Sequence, residues 1–252
     1  MTYIDGFVIA VPTANRQKFI DHATLCDAVI LEQGATRILE CWQDNVEKGH
    51  TTDFFGAVDR KDDESVAFSW IEWPDRESRQ KGMERMEAAM KTDDRCDPEK
   101  NPMPFDGARM IYGGFEPLLD DGAPVSGGYV QGFIVPVPEG NKDMYRQMAS
   151  AMWDITRDYG ASRVVDAWQD DVPAGKQTDF FRSVKAEPGE IVVFAFIEWP
   201  SREVCDASHD KIMQDERMKT FMEQNPDAKP PFDGKRMVYG AFRPVVELGG
   251  PA

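Results

Sequence analysis

Carboxylates set beside tryptophans are the residues of this sequence best suited to chemistry. On one predicted strand Ile38, Glu40, Trp42 and Asp44 share a face, and Val164, Asp166, Trp168 and Asp170 repeat the pattern. A carboxyl group beside an indole on a half-buried strand is poorly solvated, which raises its pKa and suits it to general acid–base work. Glu72 and Glu198 stand near the ends of two further strands, each flanked by aromatics. Together these residues describe a pocket walled by Trp42, Trp70, Trp168 and Phe196, with Glu40, Asp166, Glu72 and Glu198 as its polar groups. Tyr112 and Tyr239 add hydroxyls that could donate to a substrate oxygen or be satisfied internally, on a carboxylate such as Asp5. The competing reading is structural: carboxylates at strand ends point to solvent or pair with arginine, here Arg37, Arg109, Arg163 or Arg236.

Other chemistries find little support. The three histidines, His22, His50 and His209, occur singly, with no HxH, HExxH or Cys/His cluster, so the expectation is no metal and no cofactor. His22 lies four residues before Cys26, a spacing that reads as a helix surface rather than a nucleophile and its base. Cys26, Cys41, Cys96 and Cys205 show no CxxC or ladder spacing and read as reduced thiols. Neither a P-loop nor a GxGxxG is present.

The elements that must position these residues are written twice. Tyr3-Ile4-Asp5-Gly6-Phe7-Val8-Ile9-Ala10-Val11-Pro12 returns as Tyr129-Val130-Gln131-Gly132-Phe133-Ile134-Val135-Pro136-Val137-Pro138, about 126 residues later. The register holds through Trp42-Gln43-Asp44, Thr52-Asp53-Phe54-Phe55 and Ile71-Glu72-Trp73-Pro74. None of the histidines recurs in the other copy, which argues against a symmetric metal or haem site. A Gly/Pro/Asp-rich junction around 120–128 separates a first repeat, 1–121, from a second, 128–248.

Each repeat reads as strand, helix, strand, strand, helix, strand. In the first, strands are expected at 3–11, 36–46, 66–73 and 109–117. A helix capped by Thr13 (Asn141 in the second copy) ends at Gly34 (Gly160), and Met83, Met86 and Met90 mark a second helix. Gly49 to Asp63 reads as a long polar connection, and Asp106-Gly107 as a turn. The order βαββαβ is the ferredoxin-like unit, with helices on one sheet face only. The strand Val66–Trp73 is polar on neither face, so the two bare faces should close on each other, forming a single-chain pseudo-dimeric α+β barrel with the helices outside.

The segments DGFVIAVP, WQDN, TDFF, FSWIEWP and FDGARMIYGGF, repeated as QGFIVPVP, WQDD, TDFF, FAFIEWP and FDGKRMVYGAF, resemble the bacterial YbaA-like family, a domain of unknown function (DUF 1428). The resemblance covers nearly all of both halves and implies a tandem fusion of two dimeric α+β barrel domains. It implies fold and assembly, and brings no activity or site residue.

Charge narrows the partners. The 29 Lys+Arg against 45 Asp+Glu give −16, which repels phosphate backbones and anionic lipid. An RNA-recognition module shares the βαββαβ order, but its third-strand signature opens on a basic residue and a glycine, where Asp63-Glu64-Ser65-Val66 stands here. No apolar stretch reaches the roughly 20 residues of a membrane helix, and the opening MTYIDGFVIAVPTANR lacks a basic leader. The expectation is a cytoplasmic protein, a monomer or weak dimer, with a small-molecule ligand and neither nucleic acid nor membrane as partner. A cavity of at least about 300 Å³ holding both a carboxylate and a tyrosine would favour a cofactor-free enzyme. A barrel filled solid would favour a non-catalytic binding or structural protein.

Overall fold

The computed structural model describes residues 2–218 and 230–250. The first repeat runs β1 (Tyr3–Pro12), α1 (Arg16–Glu32), β2 (Arg37–Asn45), α2 (Phe54–Ala57), β3 (Glu64–Trp73), α3 (Arg76–Ala89) and β4 (Ile111–Gly122). The second follows with β5 (Tyr129–Pro138), α4 (Lys142–Asp158), β6 (Arg163–Asp171), α5 (Phe180–Ser183), β7 (Glu190–Trp199), α6 (Arg202–Gln214) and β8 (Val238–Gly249). The strands close into one antiparallel barrel in the order β1-β3-β2-β8-β5-β7-β6-β4. Closure removes the free edges that two separate sheets would present. Among the described residues no helix is long and apolar enough to cross a membrane.

The last strand of each repeat joins the halves. β4 pairs with its own β1 from Ile111 to Phe115 and with β6 of the other repeat from Gly114 onward; β8 does the same with β5 and β2. Tyr3 donates to Asp170 and Tyr129 donates to Asp44, each at 2.8 Å, fastening the two seams reciprocally.

The barrel interior is filled with rings. Phe68 and Phe194 stack at 4.7 Å between centroids, and Trp70 and Phe196 at 4.0 Å. From the opposite end Phe54 meets Phe242 edge-on at 5.1 Å, and Phe180 meets Phe115 at 5.2 Å. Gly6 and Gly132 let the facing rings in: a Cβ on either would stand 2.8 Å from Phe194 or Phe68. The expected interior pocket is therefore absent among the described residues, because the alternate residues of all eight strands meet at its axis.

Local chemistry departs from the sequence reading in three places. Thr13 does not cap α1; its hydroxyl bonds that of Ser65 at 2.8 Å, and Asn15 and Asn141 occupy the cap positions while their amides donate to Pro104 and Pro231 carbonyls. Met83 of α3 and Met90 just after its end face solvent, and the helix instead seats Gly82 against the Trp73 ring. The polar connection before β3 contains α2, capped by Asp53, whose buried Phe54 plugs the barrel mouth. Gly34 and Gly160 end α1 and α4 at φ of 109° and 104°, a conformation that favours glycine.

Candidate functional site

The residues singled out in the sequence divide among three environments. Glu72 and Glu198 point into the barrel and close its interior at one end. Arg37 donates to both oxygens of Glu198 at 2.7 and 2.8 Å, and Arg163 to both oxygens of Glu72 at 2.7 and 3.1 Å. Trp70 Nε1 adds a bond to Glu72 at 3.0 Å. Burial works against the charge of Glu72, but Arg163, with Trp70 and Arg37, outweighs it and holds the carboxyl below its usual range. These two carboxylates are thus engaged in cross-repeat ion pairs.

The four aromatic residues do not wall one pocket. Trp70 and Phe196 are inside the barrel, whereas Trp42 and Trp168 lie on its outer face beneath the helices, against Phe19 and Tyr145. They point to opposite sides of the sheet because neighbouring strands are out of phase in which residues face inward. Tyr112 and Tyr239 are exposed at 48% and 55%, so neither hydroxyl is a buried donor. Asp5 accepts instead from Trp73 Nε1 at 2.8 Å and pairs with Arg79 at 2.9 Å.

Glu40 and Asp166 occupy equivalent outward positions under α1 and α4. Glu40 accepts a short hydrogen bond from the Ser69 hydroxyl, and burial pushes its carboxyl up to about 7. Facing it from α1 is Asp27, buried, with Oδ2 unbonded; burial first and then the charge of Glu40 drive it well above the carboxylate range. Asp27 escaped the sequence reading because a single acidic residue on a helix reads as surface.

At Asp166 the surroundings differ. Tyr145 of α4 donates its hydroxyl to Asp166 Oδ1 at 2.6 Å, and among the described residues nothing donates to Oδ2. The carboxylate sits in the wall of a cavity of about 370 Å³ between α4 and the sheet. Its lining is otherwise almost wholly apolar, with Phe133, Met148, Met152, Trp153, Phe232 and Met237 among it. Burial pushes the Asp166 carboxyl up to about 6, with the Tyr145 hydrogen bond pulling the other way. Burial, then Asp166, drive the Tyr145 phenol well above its ordinary value, so it remains a proton donor at neutral pH. Sequence reasoning passes over Tyr145 as a site residue. The signal for it was the register: Tyr145 stands where the first repeat has Phe19, a hydroxyl gained at a core position.

Among the described residues no group of three or more His, Cys, Asp or Glu is arranged to hold a metal ion. His22 Nε2 lies 3.8 Å from Cys26 Sγ, but burial pushes that thiol up to about 12, which keeps it protonated.

A closed eight-stranded α+β barrel of two fused repeats, with an outer chamber beneath a helix, is the class this architecture defines. The chain belongs to the family Protein of unknown function (DUF1428), whose model matches it twice, over residues 2–107 and 128–234, as a tandem duplication requires. It is 50% identical over 119 residues to uncharacterized protein YbaA of Escherichia coli K12 and, equally, of Shigella flexneri, covering 47% of this chain and 97% of theirs. Among solved structures it is similar to a "putative monooxygenase" from Lactobacillus acidophilus, at TM-score 0.60 and 9% identity over 99% of this chain and 98% of that one. It is also similar to an anthrone oxidase-like protein, at TM-score 0.56 and 12% identity over 98% and 92%. These two likenesses are of fold.

Proposed function

We propose that this protein binds a small, largely apolar molecule in the chamber beneath α4 and moves a proton on it, with Asp166 as the base. The observation that carries the reading is one carboxylate in an apolar chamber, bonded on one oxygen by Tyr145 and, among the described residues, unclaimed on the other. Cavities of about 300–1,000 Å³ with apolar walls and a few polar groups are typical small-molecule sites. The step balances within the chamber: Asp166 Oδ2 takes a proton from an acidic C–H of the ligand, leaving the electron pair on the ligand as a carbanion. A base with a pKa near neutrality is well matched to that transfer. Tyr145 positions the carboxyl group. The names of the fold neighbours, a "putative monooxygenase" and an anthrone oxidase-like protein, support an organic substrate and transfer no residue to this chain. The proton transfer itself calls on no cofactor. The acidic composition and the free cysteines support a cytoplasmic setting without nucleic-acid or membrane partners.

Binding without turnover is the second reading, favoured by the solid barrel interior. Deuterium exchange into 2-tetralone, a flat apolar carbon acid, separates the two. In D2O the wild type should accelerate loss of the activated C–H signal, and Asp166→Asn should slow it by about 100-fold or more. Exchange at the buffer rate with 2-tetralone demonstrably bound would leave binding alone.

A further inference from the structure

The chamber continues outward. Phe133, Met152, Thr156, Ile197 and Met237 line it and also line a second hollow of about 720 Å³, which passes along α6 to the end of β2. The character changes along the way. Asp166 and Thr156 are among the few polar groups inside, whereas Glu47, Gln131, Asp206, His209 and Tyr239 line the outer hollow. None of the described residues lining that hollow is lysine or arginine. Asp206 lies 3.2 Å from Arg202, which it shares with Asp44, and Glu47 has no counter-ion among the described residues.

The first repeat shows why the mouth is open in the second. There Arg79 lies over the Tyr3 ring at 5.6 Å and forms ion pairs with Asp5 at 2.9 Å and Asp171 at 2.7 Å. The equivalent positions of the second repeat hold Cys205 and Gln131. Gln131 keeps the structural part of the arrangement, accepting from Trp199 Nε1 at 2.9 Å as Asp5 does from Trp73. The Asp–Arg ion pair is gone: a different arginine, Arg243, lies over the Tyr129 ring at 5.8 Å, and Gln131 and Cys205 face the hollow.

We infer that chamber and outer hollow form one amphiphilic channel, whose ligand places an apolar body beneath α4 and a neutral or cationic tail beside Glu47, Asp206, His209 and Tyr239. Tails ending in carboxylate or phosphate are disfavoured, because they would meet like charge with neither lysine nor arginine among the described residues lining the hollow. The inference rests on the chamber being a ligand site and adds the class of ligand.

The test is displacement of N-phenyl-1-naphthylamine, a neutral fluorescent reporter, by dodecylamine, dodecanol and dodecanoate at pH 7.5, below their micelle-forming concentrations. Amine and alcohol should displace the reporter at concentrations about tenfold or more below those dodecanoate needs. The double variant Gln131→Asp/Cys205→Arg rebuilds the plug; folded by circular dichroism, it should still bind the reporter while losing about tenfold in affinity for dodecylamine and dodecanol. Dodecanoate matching the amine would overturn the charge selection. Unchanged affinity of the double variant for both long ligands would overturn the channel. No reporter binding by the wild type would overturn the chamber reading itself, and the channel with it.

Discussion

Arg37 and Glu198 belong to different repeats, 161 positions apart, and close on each other inside the barrel through two parallel hydrogen bonds of 2.7 and 2.8 Å. Arg163 and Glu72 repeat the exchange in the opposite sense. Each repeat thus supplies the counter-charge of the other.

Breaking one such pair leaves a buried charge uncompensated, at a cost of about 3–5 kcal/mol. Glu198→Ala should therefore lower the urea-unfolding free energy by about that amount, since Arg37 keeps only the longer contact to Glu72 and the rim carboxylate Glu247. Replacing both partners with apolar residues, Arg37→Met with Glu198→Leu, should recover most of the loss. A single variant as stable as the wild type would show the pair to be solvated.

Asp166 makes the protein's stability depend on pH in an unusual direction for a carboxylate. Its folded pKa of about 6 exceeds the ordinary 3.8, so the folded state holds the proton more tightly. Stability from this group is full below about pH 4 and is lost as pH rises through 6. Asp166→Asn should consequently be more stable than wild type at pH 8, by about 1–3 kcal/mol, and equal to it near pH 4. Denaturant midpoints measured across that range decide the matter.

The carboxyl pair Asp27 and Glu40 should titrate in two separated steps, because ionising one opposes ionising the other. In Asp27→Asn a single step should remain, at lower pH than the upper step of the wild type. Carbon-13 NMR of the side-chain carboxyls reads both. Two overlapping steps in the wild type would mean that water screens the pair.

Gly6→Ala tests the packing at the barrel axis. The added methyl would stand 2.8 Å from the Phe194 ring, which cannot retreat because Phe68 stacks behind it. Overpacking of this kind costs about 1–3 kcal/mol. A thermal unfolding midpoint unchanged from wild type would show the rings to be loosely held.

The repeat made the fold legible. A first-strand block recurring about 126 residues later gave both halves one element order, and the strand expected at Val66–Trp73, polar on neither face, required a covered sheet; the observed strand runs Glu64–Trp73. The last-strand motif is also explained: Asp106 caps a short turn, and Arg109 behind it bonds both oxygens of Glu64 at 2.6 and 2.5 Å, as Arg236 does with Glu190. The site was only partly legible. Alternation along a strand groups Glu40 with Trp42 and Asp166 with Trp168, yet does not say which side of the sheet they take. Trp70 was therefore joined to tryptophans it never meets. Phe54 and Phe180 were hidden in a polar segment because a four-residue helix leaves almost no periodicity. Tyr145 could be found only by asking where the two copies disagree.

The exchange of strands at the seams separates the order of the gene from the order of the fold. The pseudo-two-fold axis swaps β4 with β8 and β5 with β1, so the end of β8 stands to the start of β1 as Gly122 stands to Tyr129. A bridge copied from residues 123–128 would span that gap and close the backbone into a ring. Opened at the present junction, the ring becomes a circular permutant in which the second repeat is translated first and every strand keeps both neighbours.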